Sequence, residues 1–181
     1  MNLKSIFVLI VFGSFGIASC QHNKPNPVEK IEAMEAEMKT RESLDTALAT
    51  KMVDVYLVYA DSLPDDSLAP VYIDKAAFIL KEMGGRKVLK SINTYNTIIH
   101  KYPEHPLAAK SIFMIGFVFD EKLHDTARAL KSYSYFVETY PSHPLANDAR
   151  GLITMLNDTI SEAEMIRRWE QQNKESNPKT D

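Results

Sequence analysis

The chain has 181 residues, 45% of them apolar, enough to bury one real core and too few for two large domains. Its net charge is -3, with Lys and Arg interleaved among Asp and Glu rather than gathered into a stripe, which argues against a nucleic-acid backbone as partner. A single cysteine, Cys20, excludes an intrachain disulfide and a cysteine metal cluster, and six glycines against abundant Ala, Leu, Met, Lys and Glu point to an all-α class.

The first residues have the order of a secretory signal: Lys4 supplies positive charge, Ile6 to Ile17 is an apolar run broken only by Gly and Ser, and Ile17-Ala18-Ser19-Cys20 follows. An uncleaved membrane anchor, or a signal leaving a free thiol, is the competing reading. A span needs roughly 20 apolar residues, and Leu3 to Ser19 is shorter and contains Gly13, Ser14 and Gly16. The four residues ending at Cys20 resemble the bacterial lipobox, an aliphatic residue and two small ones before a cysteine. That resemblance implies a signal peptide over 1–19, cleavage before Cys20, and lipidation of Cys20 with palmitate-type acyl chains. Without Lys4 the mature part carries 20 Lys plus Arg against 24 Asp plus Glu, a net of -4, so acyl chains rather than charge would hold it to a membrane.

Residues 20–27 are polar and twice interrupted by Pro, which reads as a flexible tether. The segment 28–43 is rich in helix formers, with Val28, Ile31, Met34 and Met38 on one side and Glu35 interrupting a strict heptad. It reads as an amphipathic helix folded onto the next one or partly loose, in preference to an oligomerising zipper. From Leu44 the apolar residues Leu48, Met52, Val55, Tyr56 and Tyr59 recur at helical spacing until Pro64. A second helix is expected from Leu68 to Met83, ended by Gly84-Gly85 in left-handed conformation, and a third from Arg86 to Lys101. Pro106 starts the next, whose run from Leu107 to Glu121 is the most apolar after the signal. Asp125 or Thr126 caps a helix to Tyr140, and Pro144 opens one that runs to about Leu156. Ser161 and Glu164 form a capping box, flanked by Ile160 and Met165. They predict a separate C-terminal capping helix with Met165, Ile166 and Trp169 on one side, closing a domain over 44–172. Residues 173–181 lack apolar side chains and are expected to be a disordered tail.

One phrase occurs twice, Tyr102-Pro103-Glu104-His105-Pro106-Leu107-Ala108 and Tyr140-Pro141-Ser142-His143-Pro144-Leu145-Ala146, with a weaker copy, Leu63-Pro64-Asp65-Asp66-Ser67-Leu68-Ala69, before them. Aligned on its prolines, the preceding helices read Met52, Tyr56, Tyr59; Ser91, Tyr95, Ile98; and Ala129, Tyr133, Phe136. The pattern resembles the tetratricopeptide repeat, in which a small residue lets two helices approach, an aromatic fills the gap and a proline ends the unit. Ala77, Gly116 and Thr154 take the position of closest approach in the first helices. The longer units, and Met52 in a small-residue place, look like the tetratricopeptide lipoproteins of the bacterial cell envelope, such as that of the outer-membrane β-barrel assembly machine and the Tol-Pal-associated periplasmic protein. The implied fold is a short right-handed α-solenoid of antiparallel helix pairs.

His105 and His143 occupy one repeat position, which invites a metal site; no third ligand is fixed near them, and a role in satisfying backbone groups at the turn is the preferred reading. The sequence has no G-x-S-x-G, P-loop, H-E-x-x-H or Cys-His pair, so no catalytic residue, metal or cofactor is assigned. The repeat pattern implies instead a protein-binding groove on the first helices, carrying Val71, Asp74, Phe78, Lys81, Lys110, Phe113, Phe117, Asp120, Glu121, Gly151 and Met155, with Phe78, Phe117 and Met155 in one row. Those aromatics are equally readable as core. The groove lacks the Lys-Asn carboxylate clamp of co-chaperone relatives. The resulting expectation is a non-catalytic, lipid-anchored scaffold for envelope proteins or peptides at the periplasmic face of the outer membrane. A self-assembling module acting through residues 28–43 is one alternative, and a small-ligand carrier or enzyme the other.

Overall fold

The computed structural model describes residues 26–41 and 45–176, without the side chains of 168, 169 and 172–176. Cys20, the signal segment 1–19 and most of the tether lie outside the described residues. Seven α-helices occur among the described residues, with no strand: α1 (Pro27–Lys39), α2 (Thr46–Ser62), α3 (Ala69–Met83), α4 (Lys87–Lys101), α5 (Pro106–Phe117), α6 (Thr126–Thr139) and α7 (Ala146–Ser176).

Local chemistry sets most of the boundaries. Asn26 accepts a hydrogen bond from the Val28 amide, Asp45 from those of Ala47 and Leu48, and Asp125 from that of Arg128, so each supplies an acceptor to a helix start that has none of its own. Between α3 and α4 the chain turns through Gly84 (φ 71°) and Gly85 (φ 54°), the left-handed region that glycine enters without a Cβ penalty.

The recurring phrase builds one turn three times. Leu63, Tyr102 and Tyr140, each before a proline, leave the helical region with φ near -130° and ψ of 62°, 53° and 58°, as the clash with the proline ring requires. Three residues on, the amides of Asp66, His105 and His143 donate to the carbonyls of Leu63, Tyr102 and Tyr140 at 3.1, 3.0 and 3.1 Å. Their side chains then accept from the amides of Leu68, Leu107 and Leu145 at 2.8, 3.2 and 3.1 Å. The two histidines, through Nδ1, therefore do the work of the aspartate in the weaker copy: they cap. Tyr102 also ties one copy to the previous one, its hydroxyl donating to the Pro64 carbonyl at 3.0 Å.

Each helix packs on the one before and the one after it in the chain, and α3 also touches α5. The positions aligned above are buried in every copy: Met52, Ser91 and Ala129; Tyr56, Tyr95 and Tyr133; Tyr59, Ile98 and Phe136. They divide the apolar interior into three successive clusters, one under α1, α2 and α3, one from α2 to α5 and the turn after it, and one under α5, α6 and α7. Helix α1 lies on α2 with Ile31 buried and Val28, Met34 and Met38 packed beside it, so its apolar side faces its own chain.

Three features differ from expectation. The helix beginning at Pro106 ends at Phe117 and passes into a π-helical turn, Val118–Lys122, after which His124 adopts φ 50°. The predicted break between Leu156 and a capping helix starting at Ser161 does not occur, because α7 is continuous to Ser176. Asn157 to Ile160 contain neither Gly nor Pro, and extending an existing helix needs no new nucleus, whereas the Ser161 box would have to start one. Residues 173–176 accordingly belong to α7 rather than to a disordered tail, and 177–181 lie outside the described residues. Residues 157–167 are exposed on every side, so this stretch does not fold back to cap the body.

Candidate functional site

The residues expected in the groove come from α3, α5, the π-turn and α7, and the structure gives them different environments. Asp74 on α3 and Lys110 on α5 meet at 2.7 Å, one oxygen of Asp74 accepting from the ammonium while Oδ1 is buried without a hydrogen-bond partner. This pair ties the first helices of successive units together, so its charges are spent within the chain.

Lys81, expected among the exposed residues of the groove, is buried, 5% exposed. Its ammonium lies 4.7 Å from the ring centre of Phe78 and 5.1 Å from that of Phe117, and it pairs with Glu82, which Lys122 also approaches at 3.5 Å. The Lys81 hydrogen bond holds the Glu82 carboxyl below its ordinary range, with the charges of Lys81 and Lys122 adding to it against burial. A lysine stem can lie along apolar surface while its head finds a carboxylate and two aromatic faces. Lys81 thereby joins Phe78, which is 51% exposed, to the half-buried Phe117 as one aromatic patch spanning α3 and α5.

Phe113 does not belong to that patch. It is core, packed on Tyr133 at 5.5 Å and Phe136 at 5.6 Å between ring centres, because its place on α5 faces α6. Asp120 is half-buried beside Tyr133 and its carboxyl is pushed up, first by burial and then by the neighbouring Glu121, which is exposed. Tyr133 is pushed up in turn by burial and by Asp120, and its hydroxyl meets no partner at hydrogen-bond geometry. Met155 is exposed on α7, outside the three apolar clusters, and Gly151 beside it faces open space. Thr154, aligned with Ala77 and Gly116, is likewise exposed, its hydroxyl donating to the Arg150 carbonyl.

The sequence reading did not find the bridge on α1. Glu35 accepts from Tyr56 Oη on α2 and from Lys75 Nζ on α3, both at 2.7 Å. Burial alone would raise its carboxyl, but these two hydrogen bonds and the Lys75 charge outweigh it and hold the group below its ordinary range. The interruption of the heptad at Glu35 was the available signal: a lone acid on an otherwise apolar stripe needs a partner, and two are supplied from adjacent helices. Between α1 and α2 an open, mainly apolar hollow of about 520 Å³ is lined by Pro27, Ile31, Val55, Val58, Tyr59 and Leu63, with Lys30, Asp54 and Ser62.

Among the described residues, no helix is long and apolar enough to cross a membrane, and no group of three His, Cys, Asp or Glu is placed to hold a metal ion. No protein-family model matches the chain, and no curated protein matches it.

Proposed function

We propose that the chain is a non-catalytic protein-interaction scaffold, a short tetratricopeptide-like α-solenoid lipid-anchored through Cys20 in a bacterial cell envelope, at the periplasmic face of the outer membrane. The observation that carries this reading is the aromatic patch of Phe78 and Phe117, joined over the buried ammonium of Lys81 on two successive first helices. An exposed phenylalanine beside a neutralised lysine offers a partner apolar area and a ring face at small entropic cost, which is how anchor residues of peptide grooves act. The single turn geometry of the three phrase copies supports the repeat reading, since like turns carry successive first helices to like positions. Partners are envelope proteins or peptides bound on this face, with no cofactor apart from the covalent lipid.

Two experiments test the parts separately. Affinity purification of the full chain from membranes, followed by mass spectrometry, should recover partners that a folded Phe78→Asp, Phe117→Asp double variant loses; retention of every partner by that variant would remove the patch from the function. Palmitate labelling should be present in the wild type and absent from Cys20→Ala, and labelling that survives the substitution would sink the anchor.

A further inference from the structure

Helix α1 buries the side chain of Ile31 alone, whereas α2 buries seven and α3 nine, so of the three the first helix is the most cheaply lifted from the body. Its two most specific holds are Ile31, with the partly buried Val28, Met34 and Met38 packed beside it, and Glu35, four residues on and therefore on one helix side. The aromatic contacts of the surface beneath it lie wholly within α2 and α3. Tyr56 of α2 and Tyr72 of α3 stack at 5.2 Å with 15° between their planes, Tyr59 meets Tyr72 edge-on at 4.7 Å, and Lys75 sits 5.8 and 5.4 Å from the centres of the stacked rings. Tyr56 Oη and Lys75 Nζ both converge on one carboxylate oxygen of Glu35. Lifting α1 would leave an aromatic floor with a hydroxyl donor and a cation aimed at a position that a carboxylate fills.

We propose that this α2–α3 surface is a second helix-binding site which α1 occupies in cis. Its external occupant is an amphipathic helix carrying a carboxylate four residues after a branched apolar side chain, which displaces α1. The occupant's chemistry is read from the segment seated there, as groove-binding helices are read from their spaced anchors. Covalent connection gives α1 a high effective concentration, so the site stays closed until a partner competes. The proposal is independent of the Phe78–Phe117 patch.

The test uses the full chain and a fluorescently labelled peptide of its own residues 26–41. Ile31→Asp places a charge in the α1–α2 contact and should release α1, seen as fast amide exchange in α1 with protection kept in α3 and α4. The peptide should then bind Ile31→Asp about tenfold or more tightly than wild type, because the cis competitor is gone. A peptide carrying Glu35→Lys should lose binding, and adding Lys75→Glu to the opened chain should restore it, which ties recognition to this bridge rather than to apolar contact alone. If Ile31→Asp also deprotects α3 and α4, Glu35→Ala in the chain, which removes the bridge without adding a charge, serves as the opened form. Equal binding to closed and opened chains overturns the proposal. So does no binding once α1 is released, or a charge swap that restores nothing. Phe78→Asp, Phe117→Asp should leave peptide binding unchanged, so failure of the patch and failure of this site are separable.

Discussion

A methyl group at Gly116 would stand 2.7 Å from Tyr133 Cε1, 2.8 Å from Cδ1 and 3.2 Å from Ser132 Cβ, well inside carbon–carbon contact distance. The ring has nowhere to go: Tyr133 is fully buried and packed against Phe113, itself wedged against Phe136. Gly116→Ala must therefore push α5 from α6, and overpacking of that kind costs typically 1–3 kcal/mol, against about 1 kcal/mol recovered from alanine's better helix propensity. The net expectation is a loss of about 1 kcal/mol and a Tm lower by roughly 2–4 °C. Gly151 is the control, also inside a helix but with nothing within 4 Å of an added Cβ. Gly151→Ala should gain up to about 1 kcal/mol and raise Tm by a similar amount. Thermal and urea unfolding of the two variants beside wild type decides the matter. A Gly116→Ala chain as stable as Gly151→Ala would refute the close approach of α5 and α6.

Further outcomes follow from the caps, the core and the bridge. Met52 is fully buried where the other copies have Ser91 and Ala129, so Met52→Ala should cost about 2–5 kcal/mol in urea unfolding despite matching its equivalents, since the first unit has filled that space with a longer side chain. His105→Ala should lose about 1 kcal/mol of stability while His105→Asp keeps most of it, because Asp66 already performs the same capping bond; equal losses would show that His105 acts otherwise. Glu35→Gln should destabilise by about 1 kcal/mol at pH 7, a charged hydrogen bond discounted for partial exposure. The Glu35 carboxyl is depressed on folding, so this contribution is present above the ordinary value of 4.5 and fades as pH falls through the folded value. Wild type and Glu35→Gln should thus converge in stability on acidification, and a constant gap would show that Glu35 is not ionised in the bridge.

The recurring phrase shows how far local chemistry reaches. Proline restricts the residue before it, a side chain with an acceptor, Asp or His, caps two residues on, and Leu-Ala resumes the helix, so three turns could be placed from residue types alone. The spacing of Met52, Tyr56 and Tyr59 and of their equivalents likewise marked the buried side of α2, α4 and α6, since burial follows helical period.

The candidate site was less legible. Phe113 and Phe117 stand four apart on α5, and only the position of α6 makes the first core while the second reaches the aromatic patch. Lys81 reads as a surface residue by type; its burial depends on Glu82, Phe78 and Phe117 arriving together from three places in two elements and on Lys122 of the following turn.

Residue order alone carries the all-helical class, most helix starts, the repeating turn and the buried side of α2, α4 and α6, because each depends on residues within a few positions of one another. The continuation of α7 past Ser161 is local as well, propagation of a formed helix outweighing a start signal. Only helix packing makes Glu35 bridge α2 and α3 and sets Gly116 against Tyr133, since each joins residues far apart in the chain.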